Sequence, residues 1–183
     1  MADDKLKGAV PKKENPEELE RARQSIVYYA TLMGPVRGGV LLPFQQMEFM
    51  KLNDFAKAIE SSADASYLTA LASLAKTCYK TGFKFSSFDQ LRIEIEKLAN
   101  FDGPGKKSIS LYVLKNLTET DAAEIKTGII GFFAAANAKK GGALRIEDFS
   151  FTTERGSTKV DFQLSIELER ASRAQKPMAV ARA

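Results

Sequence analysis

The stretch KVDFQLSIELE, residues 159–169, decides the fold. Val160, Phe162, Leu164, Ile166 and Leu168 alternate without a break against Lys159, Asp161, Gln163, Ser165, Glu167 and Glu169. A period of two puts the first set on one face of a β-strand and the second on the other. A strand that is apolar on one side needs neighbours at its edges and a cover over that side. Glu154-Arg155-Gly156-Ser157, immediately upstream, predicts a hairpin turn that pairs this strand with residues 144–153. In that partner the apolar phase slips between Leu144/Ile146 and Phe149/Phe151, which predicts a bulge near Glu147-Asp148.

Further upstream, SISLYVLKNL, 108–117, alternates well enough to be another strand. Thr118 with Asp121 caps a helix that carries Ile125, Ile129, Phe132 and Phe133, and Gly141-Gly142 closes it. The order strand, helix, strand, strand over 108–169 is half of a ferredoxin-like unit. That likeness is one of topology and carries no function. The expected cover is this helix on one face of a three-stranded sheet, with part of an N-terminal helical bundle beside it.

The first hundred residues follow the helical period instead. Pro16, preceded by Asn15 and followed by Glu18, opens a helix whose apolar positions are Leu19, Ala22, Ile26, Tyr29 and Met33, and Gly34-Pro35 ends it. Val40–Leu42 is expected to be extended before Pro43. A second helix follows in PFQQMEFMKLNDFAKAIESS, where Phe44, Met47, Met50, Leu52, Phe55 and Ile59 make more than half the circumference apolar. Such a helix is buried on two sides or meets another chain. Ser61-Ser62 caps a third helix carrying Tyr67, Leu68, Leu71, Leu74, Ala75 and Cys78, and Ser87 with Gln90 caps a fourth with Phe88, Leu91, Ile95 and Leu98. The chain is therefore expected to be α+β: a mobile arm over 1–14, a bundle of about four helices over 15–100, a sheet region over 101–169 packed on it, and an arm over 170–183.

Glycine-rich loops do not supply a nucleotide site. In FDGPGKKSISLYV, 101–113, the residue five before Gly105 is Asn100, Lys107 stands where a P-loop has its hydroxyl, and a strand follows where the P-loop has a helix. A turn with solvated lysines is the expectation there. GPVRGG, 34–39, lacks the spacing and the strand-to-helix context of a dinucleotide loop. The absence of histidine removes Ser-His-Asp and Cys-His catalysis and imidazole metal sites. The single cysteine, Cys78, falls on the apolar face of the third helix and is expected to be a buried core thiol. The carboxylate clusters Glu17-Glu18-Glu20 and Glu147-Asp148 suit a helix N-terminus and a bulge better than a metal. No catalytic set, metal, cofactor or small-molecule substrate is expected. No apolar run spans a bilayer and no leader is legible, so the expected location is the cytoplasm or a particle assembled inside the cell.

Charge is distributed unevenly. The net charge of +4 lies entirely in residues 170–183, which contain Arg170, Arg173, Lys176 and Arg182 and no acid. Residues 1–169 hold 23 basic and 23 acidic groups. A basic arm of this kind has phosphate backbones or acidic protein surfaces as natural partners, and arginine suits phosphate better than lysine does. Lys76, Lys80 and Lys84, and Lys139 with Lys140 beside Arg145, are candidates to supplement it, although basic residues near helix ends also complement the macrodipole. The exclusions and the charge asymmetry lead to one expectation. It is a homo-oligomeric assembly protein of coat or nucleoprotein type, self-associating through Phe44, Met47, Met50, Phe55 and Ile59 and meeting nucleic-acid phosphates through the C-terminal arm. The competing expectation is a protein-only adaptor or scaffold.

Overall fold

The computed structural model describes residues 16–35, 42–101 and 104–168. The expected arms, the cap at Asn15 and the extended residues Val40-Leu41 lie outside them. Five helices and three strands run in the order α1 (Pro16–Met33), α2 (Pro43–Ser61), α3 (Ala65–Lys80), α4 (Phe85–Ala99), β1 (Gly105–Val113), α5 (Glu119–Ala136), β2 (Gly142–Glu154) and β3 (Ser157–Leu168). The fold is α+β, as the two hydrophobic periods predict.

The sheet has the order β1-β3-β2, with β3 antiparallel to both neighbours. β1 and β2 are therefore parallel to each other, joined by the crossover helix α5, and β3 fills the gap between them. The hairpin closes with Arg155 at φ 51° and Gly156 at φ 80°, between the paired residues Glu154 and Ser157. Positive φ at both central residues is the two-residue turn whose twist matches the strands it joins. The pairing of β2 with β3 slips between Glu147 and Ser150, where Asp148 takes φ 54°, so the bulge stands where the slipped phase placed it.

On the inner face Val160, Phe162, Leu164 and Ile166 of β3 are buried, as are Ile109, Leu111 and Val113 of β1. Two helices cover them: α5 packs on β2 and α4 packs on β1. α3 packs on α5, α1 on α3, and α2 lies over α1 and α4. A single hydrophobic core runs from Ile26 through Leu71, Leu91 and Ile129 to Leu164.

Besides α5, which ends at Ala136 rather than at Gly141-Gly142, three boundaries differ from expectation. α3 is capped by Asp64, whose carboxylate accepts from the Tyr67 N–H at 3.1 Å, while Ser61 ends α2 and its hydroxyl donates to the Ala58 carbonyl. An ionised acceptor is the stronger cap at a helix N-terminus. α4 starts at Phe85 rather than after Ser87, because Phe85 is buried against Phe55 and Phe88 in the first turn. Ser87 donates instead to the Tyr112 carbonyl. β1 starts at Gly105 and stops at Val113, so Lys106 and Lys107 belong to it and Leu114–Leu117 do not. Its end is set by its partner: Val113 faces Thr158, one residue from the start of β3. The buried Thr158 hydroxyl then takes over from the ladder, donating to the Lys115 carbonyl at 2.5 Å and accepting from the Leu117 N–H at 3.2 Å.

Thr118 and Asp121 form the expected capping box of α5. Burial would raise the Asp121 carboxyl, but the N–H of Thr118 and the Lys115 ammonium at 3.4 Å outweigh it and hold the group below the usual carboxylate range. A depressed folded-state value contributes stability above the unfolded pKa and loses it as pH falls through the folded one. The stability difference between wild type and Asp121→Asn, measured by urea unfolding, should therefore be largest near neutrality and shrink below about pH 4. Thr158→Val, which keeps the shape and strands the Leu117 N–H, should cost about 1–3 kcal/mol in the same assay.

Candidate association surface

α2 divides its apolar residues between two environments. Leu52, Phe55 and Ile59 are buried, with the Phe55 ring edge-on to Phe85 at 5.4 Å and to Phe88 at 5.8 Å. Phe44, Met47 and Met50 are 61, 61 and 65% exposed. Of the five residues expected at an association surface, Phe55 and Ile59 are thus core residues of the chain itself. The side of α2 that packs on α1 and α4 takes them, while Phe44 borders a cleft shared with the end of α1 and Met47 and Met50 turn toward solvent.

A cleft of about 530 Å³ opens beside the N-terminal half of α2. Leu32 at the end of α1, Phe44, Tyr79 in the last turn of α3, and Leu114 line it. Each arrives there for a local reason. Leu32 lies four residues after Tyr28 on a second, exposed line of α1, off the buried stripe of Ala22, Ile26, Ala30 and Met33. Tyr79 packs against Tyr29, ring centroids 5.7 Å apart, and remains partly exposed. Leu114 is held at the rim by its N–H, which donates to the Gly82 carbonyl at 2.9 Å. Gly82 sits at φ 88°, and a Cβ there would stand 2.7 Å from that of Lys115, so the close approach needs glycine.

The same region holds the first basic group. Lys76 and Lys80 are exposed on α3 and Lys84 lines the cleft, while Lys115 donates to the Lys80 carbonyl at 3.3 Å and pairs with Asp121. The acid of the cleft is Glu48. Phe83 and Phe85, their aromatic neighbours in sequence, are buried. The structure therefore brings one member of each group to the same cleft, Phe44 and Lys84, which the sequence kept apart. Lys139 and Lys140 stand elsewhere, in the turn after α5, where Lys140 donates to the Asn100 carbonyl at 2.8 Å. Arg170, Arg173, Lys176 and Arg182 lie outside the described residues. Leu32 and Leu114 were not legible as surface residues: Leu114 was counted in a strand, and the only trace of Leu32 was its four-residue spacing from Tyr28.

Other features carry less chemistry. Between α3 and α4, Arg92 donates to Asp89 at 2.7 Å and to Glu96 at 2.9 Å, and the Tyr67 hydroxyl donates to the second Glu96 oxygen. The guanidinium also lies 5.3 Å from the Phe55 ring centroid. Burial, reinforced by the Glu96 carboxylate, pushes the Tyr67 phenol up, so it stays protonated and donating. With both carboxylates on Arg92, the cluster fastens α3 to α4. On the outer face of the sheet Lys106 and Arg145 flank Ser165, but Glu147 and Asp161 follow in the next rows, so the charges alternate. Lys107 points inward from the edge strand to Glu94 of α4 at 3.3 Å. Cys78 is fully buried and burial alone pushes its thiol up, which keeps it inert. Among the described residues no group of three His, Cys, Asp or Glu side chains is placed to hold a metal ion, and no helix is long and apolar enough to cross a membrane. Comparison with protein-family models, with curated proteins and with solved structures finds no match.

The division of α2 has a direct readout in stability. Phe55→Ala should lower the unfolding free energy by about 3–5 kcal/mol. Phe44→Ser and Met47→Ser should each stay within about 0.5 kcal/mol of wild type, as surface positions do. Thermal and urea denaturation followed by circular dichroism distinguish the two outcomes.

Proposed function

We propose that this chain is a non-enzymatic, self-associating structural protein of coat or nucleoprotein type. Its folded part makes the protein–protein contacts, and its C-terminal basic residues meet nucleic-acid phosphates. The observation that carries the reading is the exposed N-terminal half of α2, where Phe44, Met47 and Met50 stand in solvent next to a cleft lined by Leu32, Tyr79 and Leu114. Clustered apolar surface of this kind marks an interface, since folding of the chain itself gives these side chains no shelter. Aromatic and methionine side chains are also those enriched at interface cores.

The charge distribution supports the second half. The excess of basic over acidic groups is confined to Arg170, Arg173, Lys176 and Arg182, while Lys115, Lys107 and Arg92 are paired with carboxylates inside the folded part. Binding through phosphates alone is indifferent to base sequence and depends steeply on salt. Four phosphate contacts correspond to a loss of about 100-fold in affinity between roughly 50 and 200 mM salt.

The test is the light-scattering mass of the purified protein at low and high salt, with nucleic acid extracted from each eluted peak and run on a gel. The expected result is a multi-subunit species that retains nucleic acid at low salt and releases it at high salt. Deletion of residues 170–183 should abolish that retention, and Met47→Glu should reduce the mass toward the 20.1 kDa of one chain. A monomer free of nucleic acid under all conditions would end this reading. Assemblies that form without nucleic acid and without salt dependence would replace it with the protein-only scaffold.

A further inference from the structure

Resting on the nucleic-acid reading proposed above, we infer that the folded part carries a base-stacking site of its own and that its ligand is a single strand. Tyr28 and Tyr79 receive unpaired bases, while Lys76, Lys80 and Lys84 meet the neighbouring phosphates.

The tyrosines form a ladder across two helices. Tyr28 and Tyr29 of α1 meet edge to face with ring centroids 5.1 Å apart, and Tyr29 meets Tyr79 of α3 at 5.7 Å. Tyr29, in the middle, is half-buried against the core, whereas Tyr28 and Tyr79 are 60 and 42% exposed. Phe44, Phe101 and Tyr112 are exposed too, but among the described residues none of these three contacts another ring. The two ends of the ladder are thus the exposed rings that an aromatic neighbour holds in place.

Cations stand at the Tyr79 end. Lys76 precedes Tyr79 by one turn, Lys80 follows it directly, and Lys84 lines the cleft together with Tyr79 and Leu32. Among the described residues the ammonium groups of these three have no carboxylate partner, whereas Lys97, Lys107 and Lys115 are each paired. Of the neighbouring acids, Glu48 lines the cleft, Asp121 is closed on Lys115, and Glu124 lines the groove between α3 and α5. Unpaired lysines beside exposed rings complement a polyanion whose bases present flat π-faces.

The rings decide between single strand and duplex. In a duplex the base faces are stacked on one another and only edges and phosphates are offered, so lysines can engage it and tyrosines cannot. An unpaired base offers its face. Stacking accepts any base, which agrees with binding that does not read sequence.

Oligothymidylate and a mixed-sequence duplex of equal length are the probes, each titrated with the full chain at about 50 mM salt and followed by the anisotropy of a label. The chain has five tyrosines and no tryptophan, so quenching of tyrosine emission by unlabelled probe reports stacking directly. The expected result is quenching by oligothymidylate and not by the duplex, with binding of the single strand tighter by about tenfold or more. Tyr28→Ala combined with Tyr79→Ala should remove that preference and leave duplex affinity unchanged, while Phe at both positions, which keeps the rings, should retain it. Tyr28→Ala alone, at the more exposed position, gives the same reading if the double variant does not fold. Equal affinity for the two probes, untouched by the alanine variants, would overturn the stacking site and leave phosphate binding standing. Failure to bind either probe would overturn the nucleic-acid reading itself.

Discussion

The structure depends on covering one face of β3. A central strand with Val160, Phe162, Leu164 and Ile166 on a single side exposes a broad apolar surface, and a lone helix is too narrow to shelter three strands. α5 crosses between the parallel strands β1 and β2 and packs on β2, leaving the β1 side open. α4 closes that side with Phe88, Leu91 and Ile95, and the back of α5 then needs α3. Each helix added to hide one apolar face brings another, until α2 is reached and the sequence of covering stops with half a helix still outward.

That ending links the fold to the proposed function. Within the chain, Leu52, Phe55 and Ile59 are the buried residues of α2, on the side that packs on α1 and α4. The residues left over form an apolar surface and not scattered singles, and the turn at Gly82 adds Leu114 beside them.

Polar groups guard the edges of the sheet. Lys107 points inward from the edge strand β1, and β2 carries its bulge, two devices that discourage strand addition at the sheet edges. Charges of both signs stand on the outer face of the sheet, with the exposed Tyr112 among them. Arg92 is closed off by Asp89 and Glu96 of its own helix, and Glu96 ties α4 to α3 through the Tyr67 hydroxyl.

Much of this was legible in the residues. The alternation over 159–168, the slipped phase at Glu147, the Thr118–Asp121 cap and the helical stripes of α1, α3 and α4 follow from periods of two and 3.6 and from backbone groups that need partners, which are local constraints. The circumference of α2 showed that the helix had more apolar surface than one neighbour takes. It did not show which residues would be left out. Phe55 and Phe44 are the same residue type on the same helix, yet Phe55 meets Phe85 and Phe88 while Phe44 borders an open cleft. The ends of α4 and β1 were decided likewise, by the burial of Phe85 and by the place where β3 begins. Sequence by itself determined the elements and their apolar faces, because those depend on neighbours a few residues away. Tertiary structure decided which apolar residues stay exposed and which lysines join them, because that depends on where other helices end.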